Sequence, residues 1–379
     1  MIMGDFELTL NQLKESGNFR SIPDEPEREY LDFSTNDYMG LGARTDFQEK
    51  FFANPEVRNL PLSSSAARLL APHQKAHTDL EEYLGEFYGR KVLLYNSGYH
   101  ANTGTISALA SKNTYVIADR LSHASIIDGV VLSRAEFTRF KHNDYAHLEK
   151  LLEANADKYR RILIVTESVF SMDGDACDVD RLVELKRKFA SRCEVLLYID
   201  EAHAFGVNGP HGLGLCKASP CYNEVDLVVG TFGKAAASQG AFVATTPVIK
   251  DYLINKSRSF IFSTALPPFN SAWTQFVVSQ LVAMDAEREH LQELCRQLSA
   301  GIEAITDIRV VTSHIIPLIV GDAHKAVEVS KKLAERGVKA LAIRTPTVPP
   351  GTERIRFSVS AAMTSDDIQF LLRQLKELL

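Results

Sequence analysis

The sequence predicts an α/β protein: a large, mainly parallel sheet of seven strands with helices on both faces, followed by a small C-terminal α+β domain. Three observations predict it. Apolar runs of about five residues alternate with stretches of helical period between residues 92 and 244. The runs end on polar or reactive side chains, as expected where an open sheet presents its carboxyl ends to a ligand. Beyond a long helical stretch ending near Ile305, the order changes to strand, strand, helix, strand, strand, helix. The expected division is an N-terminal helix and connector over 1–40, the large domain over 41–265, a bridging helix over 266–305 and the small domain over 306–379.

The first 20 residues read as a short polar helix that can gather Phe6, Leu8, Leu10 and Leu13 on one face. Ile22–Glu29, with two prolines and many charges, is a connector. Leu31–Ser34 reads as a short strand, and the Asn, Asp and Gly of Thr35–Leu41 as a fixed turn. Pro61–Arg68, rich in serine and alanine, is a loop, and Leu80, Tyr83, Leu84 and Phe87 are spaced as on a helix over 74–87. Strands are expected at Val92–Tyr95, Tyr115–Ala118, Glu136–Phe140, Arg161–Thr166, Val195–Ile199, Leu227–Gly230 and Ala241–Ala244. Helices are expected to about Ala110, over His123–Leu132, Tyr145–Glu153, Cys177–Phe189 and Pro247–Lys256, then as one helix from Pro267 to about Ile305. The small domain should hold strands Ile308–Thr312, Ile315–Val320, Lys339–Ile343 and Arg354–Val359, with helices Ala323–Arg336 and Ser365–Leu378.

Composition narrows the function classes. The chain has 379 residues, 45% hydrophobic and 24% charged, which is an ordinary globular balance. The net charge of -6 and the dispersed basic residues argue against a nucleic-acid partner. No apolar run approaches the ~18 residues of a membrane span, and the first residues carry acids and no signal-peptide core, so a cytoplasmic protein is expected. Five cysteines, never spaced Cys-x-x-Cys, fit reduced thiols better than disulfides or zinc, and no metal site is expected.

The chemistry concentrates at the strand ends. Val195–Ile199 runs directly into Asp200–Glu201–Ala202–His203, and Leu227–Val229 into Gly230–Thr231–Phe232–Gly233–Lys234. An acid placed straight after a buried run needs a cationic partner, and a protonated pyridine nitrogen is one. Lys234 between small residues suits a Schiff-base former, with His203 placed for a ring hydroxyl. Taken singly, Asp200 could equally cap the following loop, and Lys234 could be a surface lysine. Ser97–Gly98–Tyr99 could hold a phosphate at a helix start, or be a plain strand-to-helix turn. Asp119 and His123 flank another strand end, and Glu167, Ser171 and Asp173 follow a third; helix caps and turn formers occupy such positions as well.

At these residues the chain resembles the fold-type I pyridoxal-phosphate enzymes and, within them, the α-oxoamine synthase family. The resemblance covers nearly the whole chain. It includes Ser34–Leu41, Asn96–Asn102, Asp119–Ser125, Thr166–Asp175, the Asp200-x-x-His203 and Thr231-x-x-Lys234 pair, and Ile261–Pro268. It implies the aspartate aminotransferase-like fold of PLP-dependent transferases, the cofactor pyridoxal 5'-phosphate, and a homodimer with shared active sites. The implied reaction joins an amino acid, glycine or L-alanine, to an acyl thioester with loss of carbon dioxide. Ala342–Thr352 resembles the branch that takes a pimeloyl thioester in biotin biosynthesis.

The implied roles follow the matched motifs. Lys234 would bind the cofactor covalently, Asp200 would face the pyridinium nitrogen, His203 the ring oxygen, and His123 would stack on the ring. Gly98 and Tyr99 would meet the phosphate, Ser171 and Thr231 would complete the shell, and Ser263 and Thr264 would reach the neighbouring subunit's phosphate. Lys234, His123 and Asp200 would be the catalytic set. Asn36 and Arg356 would hold the amino-acid carboxylate, and Arg20 and Thr347 the acyl substrate. The chain departs from the pattern at Ser63–Ala67, where glycines are usual, at Thr345–Pro346 in place of Pro-Pro, and at Ala235–Ala237 after the lysine. No reactive group is lost. Sister synthases that take acetyl, succinyl or long-chain thioesters, an aminotransferase, and a silent cofactor-binding protein are the rival readings.

Overall fold

The structure, a computed structural model, describes residues 2–22, 29–306 and 308–378. Most of the expected connector, 23–28, lies outside the described residues. In chain order the strands are β1 (Leu31–Asp32), β2 (Lys91–Tyr95), β3 (Thr114–Asp119), β4 (Glu136–Phe140), β5 (Arg161–Glu167), β6 (Glu194–Asp200), β7 (Leu227–Thr231), β8 (Ala241–Thr245), β9 (Ile315–Ile319), β10 (Val338–Lys339), β11 (Leu341–Ile343) and β12 (Arg354–Ser358). Contacts divide the chain into two units. One comprises Met39–Phe170 and Ala176–Arg288; the other comprises Met1–Tyr38, Ser171–Asp175 and Glu289–Leu379.

The larger unit is built on a seven-stranded sheet in the order β2-β8-β7-β6-β5-β3-β4. All neighbours run parallel except β8, which is antiparallel to both β2 and β7. The central strands are buried on both faces, so they read as unbroken apolar runs: Val116, Leu163, Val165, Leu197, Ile199 and Val228 are all fully buried. The edge strand β4 leaves Phe137 exposed. Helix positions follow from their caps. The helix Val179–Phe189 starts two residues later than its apolar pattern suggests, because the Asp178 side chain accepts the Arg181 N–H. The helix Lys75–Tyr88 stops at Gly89, whose φ of 63° closes the last turn.

Two features of the helices differ from expectation. A helix over Thr45–Phe52 was not predicted; its Phe47 and Phe51, one turn apart, pack against Phe276, and Phe51 also meets Trp273. The long helix expected from Pro267 to about Ile305 is two helices, Pro268–Leu281 and Asp285–Thr306. The buried Arg288 explains the break: Nη1 donates to the Leu281 carbonyl at 2.8 Å and Nη2 to the Val282 carbonyl at 3.3 Å. A cation on the last carbonyls stabilises a helix end.

The smaller unit carries the three-stranded antiparallel sheet β11-β12-β9 and the parallel pair β1-β10. Ile308–Thr312 forms no strand; Ile308 is exposed and pairs with no strand among the described residues. The single strand expected over Lys339–Ile343 is divided at Ala340. Val338–Lys339 pairs with Leu31–Asp32, whereas Leu341–Ile343 pairs with β12. Helices Ala323–Glu335 and Ser365–Leu378 lie where their spacing predicts. The N-terminal helix spans Ile2–Glu15, with Phe6, Leu8, Leu10 and Leu13 all exposed.

Candidate active site

Strand register sets out the site in the larger unit. β7, β6, β5 and β3 are neighbours and end on Thr231, Asp200, Glu167 and Asp119. The ends of β7, β6 and β5, with His123 beyond β3, meet the start of the helix Gly98–Leu109 around a cleft of about 170 Å³ lined by Gly98, Tyr99, Asn102, His123, Ser125, Glu167, Asp200, Ala202, His203, Thr231 and Lys234. Seven residues expected at the cofactor therefore come together: Gly98, Tyr99, His123, Asp200, His203, Thr231 and Lys234.

Asp200 is 5% exposed. Its Oδ2 accepts from Asn102 Nδ2 at 2.7 Å and its Oδ1 from the Ala202 N–H at 2.8 Å. Among the described residues no cation forms an ion pair with it. Lys234 Nζ lies 2.7 Å from His203 Nε2. Thr231 Oγ1 donates to the Gly240 carbonyl at 3.1 Å. The helix that opens on Gly98 is capped by Ser97, whose Oγ accepts the His100 N–H. Residues within the helix cannot accept the N–H groups of Gly98 and Tyr99, and the helix dipole is positive there.

One network joins Asp200 to His123. Tyr198 OH donates to Asn102 Oδ1 at 2.6 Å, which orients the amide. The Asn102 Nδ2 then donates to both Asp200 and Ser125 Oγ, the latter at 2.9 Å. Having accepted that bond, Ser125 Oγ turns its own hydrogen to His123 Nδ1 at 2.8 Å. The Ser125 N–H also reaches Nδ1, at 3.2 Å. His123 Nδ1 is therefore an acceptor and the ring proton sits on Nε2. Burial holds the imidazole below its usual range, with the Asp200 charge opposing and the Lys234 charge assisting. Asn102 and Ser125 were not singled out from the sequence. The available signal was an asparagine at a fully buried helix position, four residues after Gly98, where an unpaired amide would be costly.

The substrate candidates lie in the smaller unit. Arg20 Nη2 donates to Thr347 Oγ1 at 2.9 Å. Arg356 is 3% exposed and donates to Asn36 Oδ1 (3.1 Å), Tyr38 OH (3.2 Å), the Ser171 carbonyl (2.6 Å) and Ser358 Oγ (3.0 Å). All four acceptors are neutral, and no carboxylate among the described residues pairs with this guanidinium. Ser171 thus enters through its backbone and belongs to the smaller unit.

Ser263 and Thr264 are absent from the lining of the 170 Å³ cleft of their own chain. The Thr264 carbonyl accepts from Asn96 Nδ2 at 2.6 Å, and Ala67 bridges to Thr264. The departures from the family pattern have a backbone consequence: Ser65 (φ 50°) and Ala237 (φ 42°) occupy the left-handed region without being glycine. The Ser63 hydroxyl steadies the first by accepting the Ser65 N–H at 3.0 Å.

Comparison with known proteins agrees with this geometry. The profile of the aminotransferase class I and II family matches residues 28–375. An 8-amino-7-oxononanoate synthase of Haemophilus ducreyi is 45% identical over 385 residues, covering 98% of this chain and 99% of that protein. Among solved structures, a serine palmitoyltransferase variant from S. paucimobilis with a bound PLP–myriocin aldimine is 28% identical, with a TM-score of 0.89 over 98% of this chain and 96% of that one. An 8-amino-7-oxononanoate synthase from Francisella tularensis is 27% identical, with a TM-score of 0.76 over 92% of this chain and 97% of that one. The chain belongs to the aminotransferase class I and II family and, within it, to the branch of the 8-amino-7-oxononanoate synthases.

Proposed function

We propose that the protein is an acyltransferase of biotin biosynthesis. It uses pyridoxal 5'-phosphate to condense an amino acid with a pimeloyl thioester, releasing carbon dioxide, the thiol carrier and 8-amino-7-oxononanoate. The observation that carries this reading is Asp200: a buried carboxylate held by two neutral donors, without a cation among the described residues, in a cleft that also presents Lys234. Such an anion fits a protonated ring nitrogen. The cofactor, when bound, supplies an electron-withdrawing ring that acidifies the amino acid's Cα.

The chain's own groups do the rest. Lys234 Nζ would hold the cofactor covalently, and its amine, when free, would take up and return the proton at the amino acid's Cα. Asp200 would hold a proton at the ring nitrogen. His123, with its proton on Nε2, would donate to the oxyanion that develops on the thioester carbonyl. Gly98 and Tyr99 would offer N–H groups to the phosphate, His203 would meet the ring oxygen, and Ser171 and Thr231 would complete the shell. Arg356 and Asn36 take the amino-acid carboxylate, and Arg20 and Thr347 the acyl chain.

Carbon counting corrects one expectation. A nine-carbon product from a seven-carbon acyl group, after one carbon leaves as carbon dioxide, requires a three-carbon donor. L-Alanine meets this; glycine would give an eight-carbon product. The long-chain alternative is suggested by the serine palmitoyltransferase neighbour, but 45% identity to an 8-amino-7-oxononanoate synthase against 28% to that enzyme favours the pimeloyl reading. The test is mass spectrometry of the product after mixing enzyme, cofactor, L-alanine or glycine, and pimeloyl, acetyl, succinyl and palmitoyl thioesters. Amino-oxononanoate from alanine and pimeloyl thioester is expected; preference for another thioester overturns the assignment.

The working form we propose is a cytoplasmic homodimer, with Ser263 and Thr264 of each subunit reaching the other's cofactor phosphate. Five free cysteines suit a reducing compartment. Among the described residues no helix is long and apolar enough to cross a membrane, and no cluster of three or more His, Cys, Asp or Glu could hold a metal ion. Mixing Lys234→Ala protein with a Ser263→Ala/Thr264→Ala double variant should restore activity through hybrid dimers. No restoration would separate Ser263 and Thr264 from the partner's site.

A further inference from the structure

Glu167 has a place in the cleft that the reaction above does not use. It is the Cα partner of Asp200 across the parallel strands β5 and β6, so the two carboxylates stand side by side at neighbouring strand ends. Both are buried, at 3% and 5% exposure. Two adjacent carboxylates in a poorly solvated cleft do not both ionise without a cation between them. The groups that act on Glu167 are Asp200 at the end of β6, Asp119 at the end of β3, Lys234 beyond β7, and His123 at the start of the helix after β3. No cation forms an ion pair with Glu167 among the described residues.

The two carboxyl groups are provided for differently. Asp200 receives one donor on each oxygen, from Asn102 and from the Ala202 N–H. Glu167 receives one donor in all: its Oε1 accepts the backbone N–H of His123 at 2.5 Å. Its Oε2 has no donor among the described residues, and Glu167 lines the cleft. A neutral acid, its carbonyl oxygen accepting the one N–H and its hydroxyl left to the cleft, suits this arrangement better than an anion with one lone donor.

We propose that Glu167 is a positioning residue that stands in the cleft as a neutral carboxylic acid, fixing the backbone of His123 through Oε1 and leaving Asp200 as the sole anion of the strand-end pair. The physical surroundings agree: burial, then the charge of Asp200, push its carboxyl up from 4.5 to about 8. A second anion there would compete with Asp200 for any cation in the cleft and weaken the hold of Asp200 on a ring proton. The consequence for turnover rests on the proposed cofactor chemistry; the consequence for stability does not.

Stability supplies the first test. The folded value lies above the unfolded one. The contribution of Glu167 is therefore fully present below 4.5 and is lost as pH rises through about 8. Thermal unfolding of full-length wild type and Glu167→Gln, with and without added pyridoxal phosphate, should show a smaller alkaline fall in Tm for the variant, because glutamine mimics the neutral acid and cannot ionise. Identical pH dependence of Tm in the two proteins overturns the proposal. In the second arm, Glu167→Gln should keep kcat within about fivefold of wild type at neutral pH, whereas Glu167→Leu, which releases His123, should lose on the order of 10²-fold. If glutamine is as damaging as leucine, Glu167 works as an anion and the proposal fails. Should the protein carry out a different reaction, the Tm comparison still decides the protonation state of Glu167.

Discussion

Asp200 in the larger unit and Arg356 in the smaller one are both buried charges whose protein partners are neutral. Arg354, two residues before Arg356 on the same strand and equally buried, is different: its Nη1 reaches Asp173 Oδ1 at 2.7 Å. Arg354 has its counter-ion built in. Asp200 and Arg356 do not, and leaving a buried charge uncompensated costs several kcal/mol, on the order of 3–5, when a partner is removed from a buried pair. A fold that carries such half-pairs is arranged for charges that arrive from outside. The anion in the larger unit suits a cationic ring nitrogen, and the cation in the smaller unit suits a carboxylate.

Substitutions separate the two buried charges that lack a counter-ion from the arginine that has one. The largest effect is expected at Lys234→Ala, where turnover should fall roughly 10³-fold or more and the absorption band of lysine-bound cofactor should vanish. An unaltered visible spectrum would sink the assignment of Lys234. Asp200→Asn should fold and bind cofactor yet lose about 10²–10³-fold in kcat, measured in steady state. Wild-type turnover in that variant would mean that the buried anion is structural. Arg356→Gln should raise KM for the amino acid by about 10–100-fold, the worth of a charge-assisted contact, with a smaller change in KM for the thioester. Arg354→Gln sharpens the contrast: it should lower stability by about 2 kcal/mol in denaturant unfolding and leave the amino-acid KM within about twofold. If the two arginines exchange these signatures, the assignment of built-in and awaited counter-ions is reversed. The smallest effect is expected at Thr347→Val, which deletes the hydroxyl that Arg20 meets and should raise the thioester KM about fivefold.

Much of this was legible in the chain because burial and reactivity coincide at strand ends. Six strands of the large sheet, all but the edge strand β4, lie where apolar runs place them, since a strand covered on both faces has no polar side to obscure its boundaries. Asp200, His203 and Lys234 stood out for the same reason. Asn102, Ser125 and Tyr198 did not, because each is a polar atom inside an apolar or small-residue stretch, and only the folded chain brings them to Asp200 and His123. The break between the helices Pro268–Leu281 and Asp285–Thr306 was hidden because Arg288, read along the chain, is one more helix-forming residue. In the fold its guanidinium turns back onto the carbonyls of Leu281 and Val282. The strand division at Ala340 was hidden because a change of partner leaves no mark in composition.

The most direct measurement concerns the proton that Asp200 is proposed to hold on the cofactor ring. Pyridoxal phosphate labelled with ¹⁵N in its ring, bound to the full-length protein, reports by NMR whether that nitrogen carries a proton. In the wild type it should be protonated across neutral and mildly alkaline pH, and in Asp200→Asn the proton should be lost. An unprotonated nitrogen in the wild type, or one that stays protonated after the aspartate is removed, would contradict the role given to Asp200.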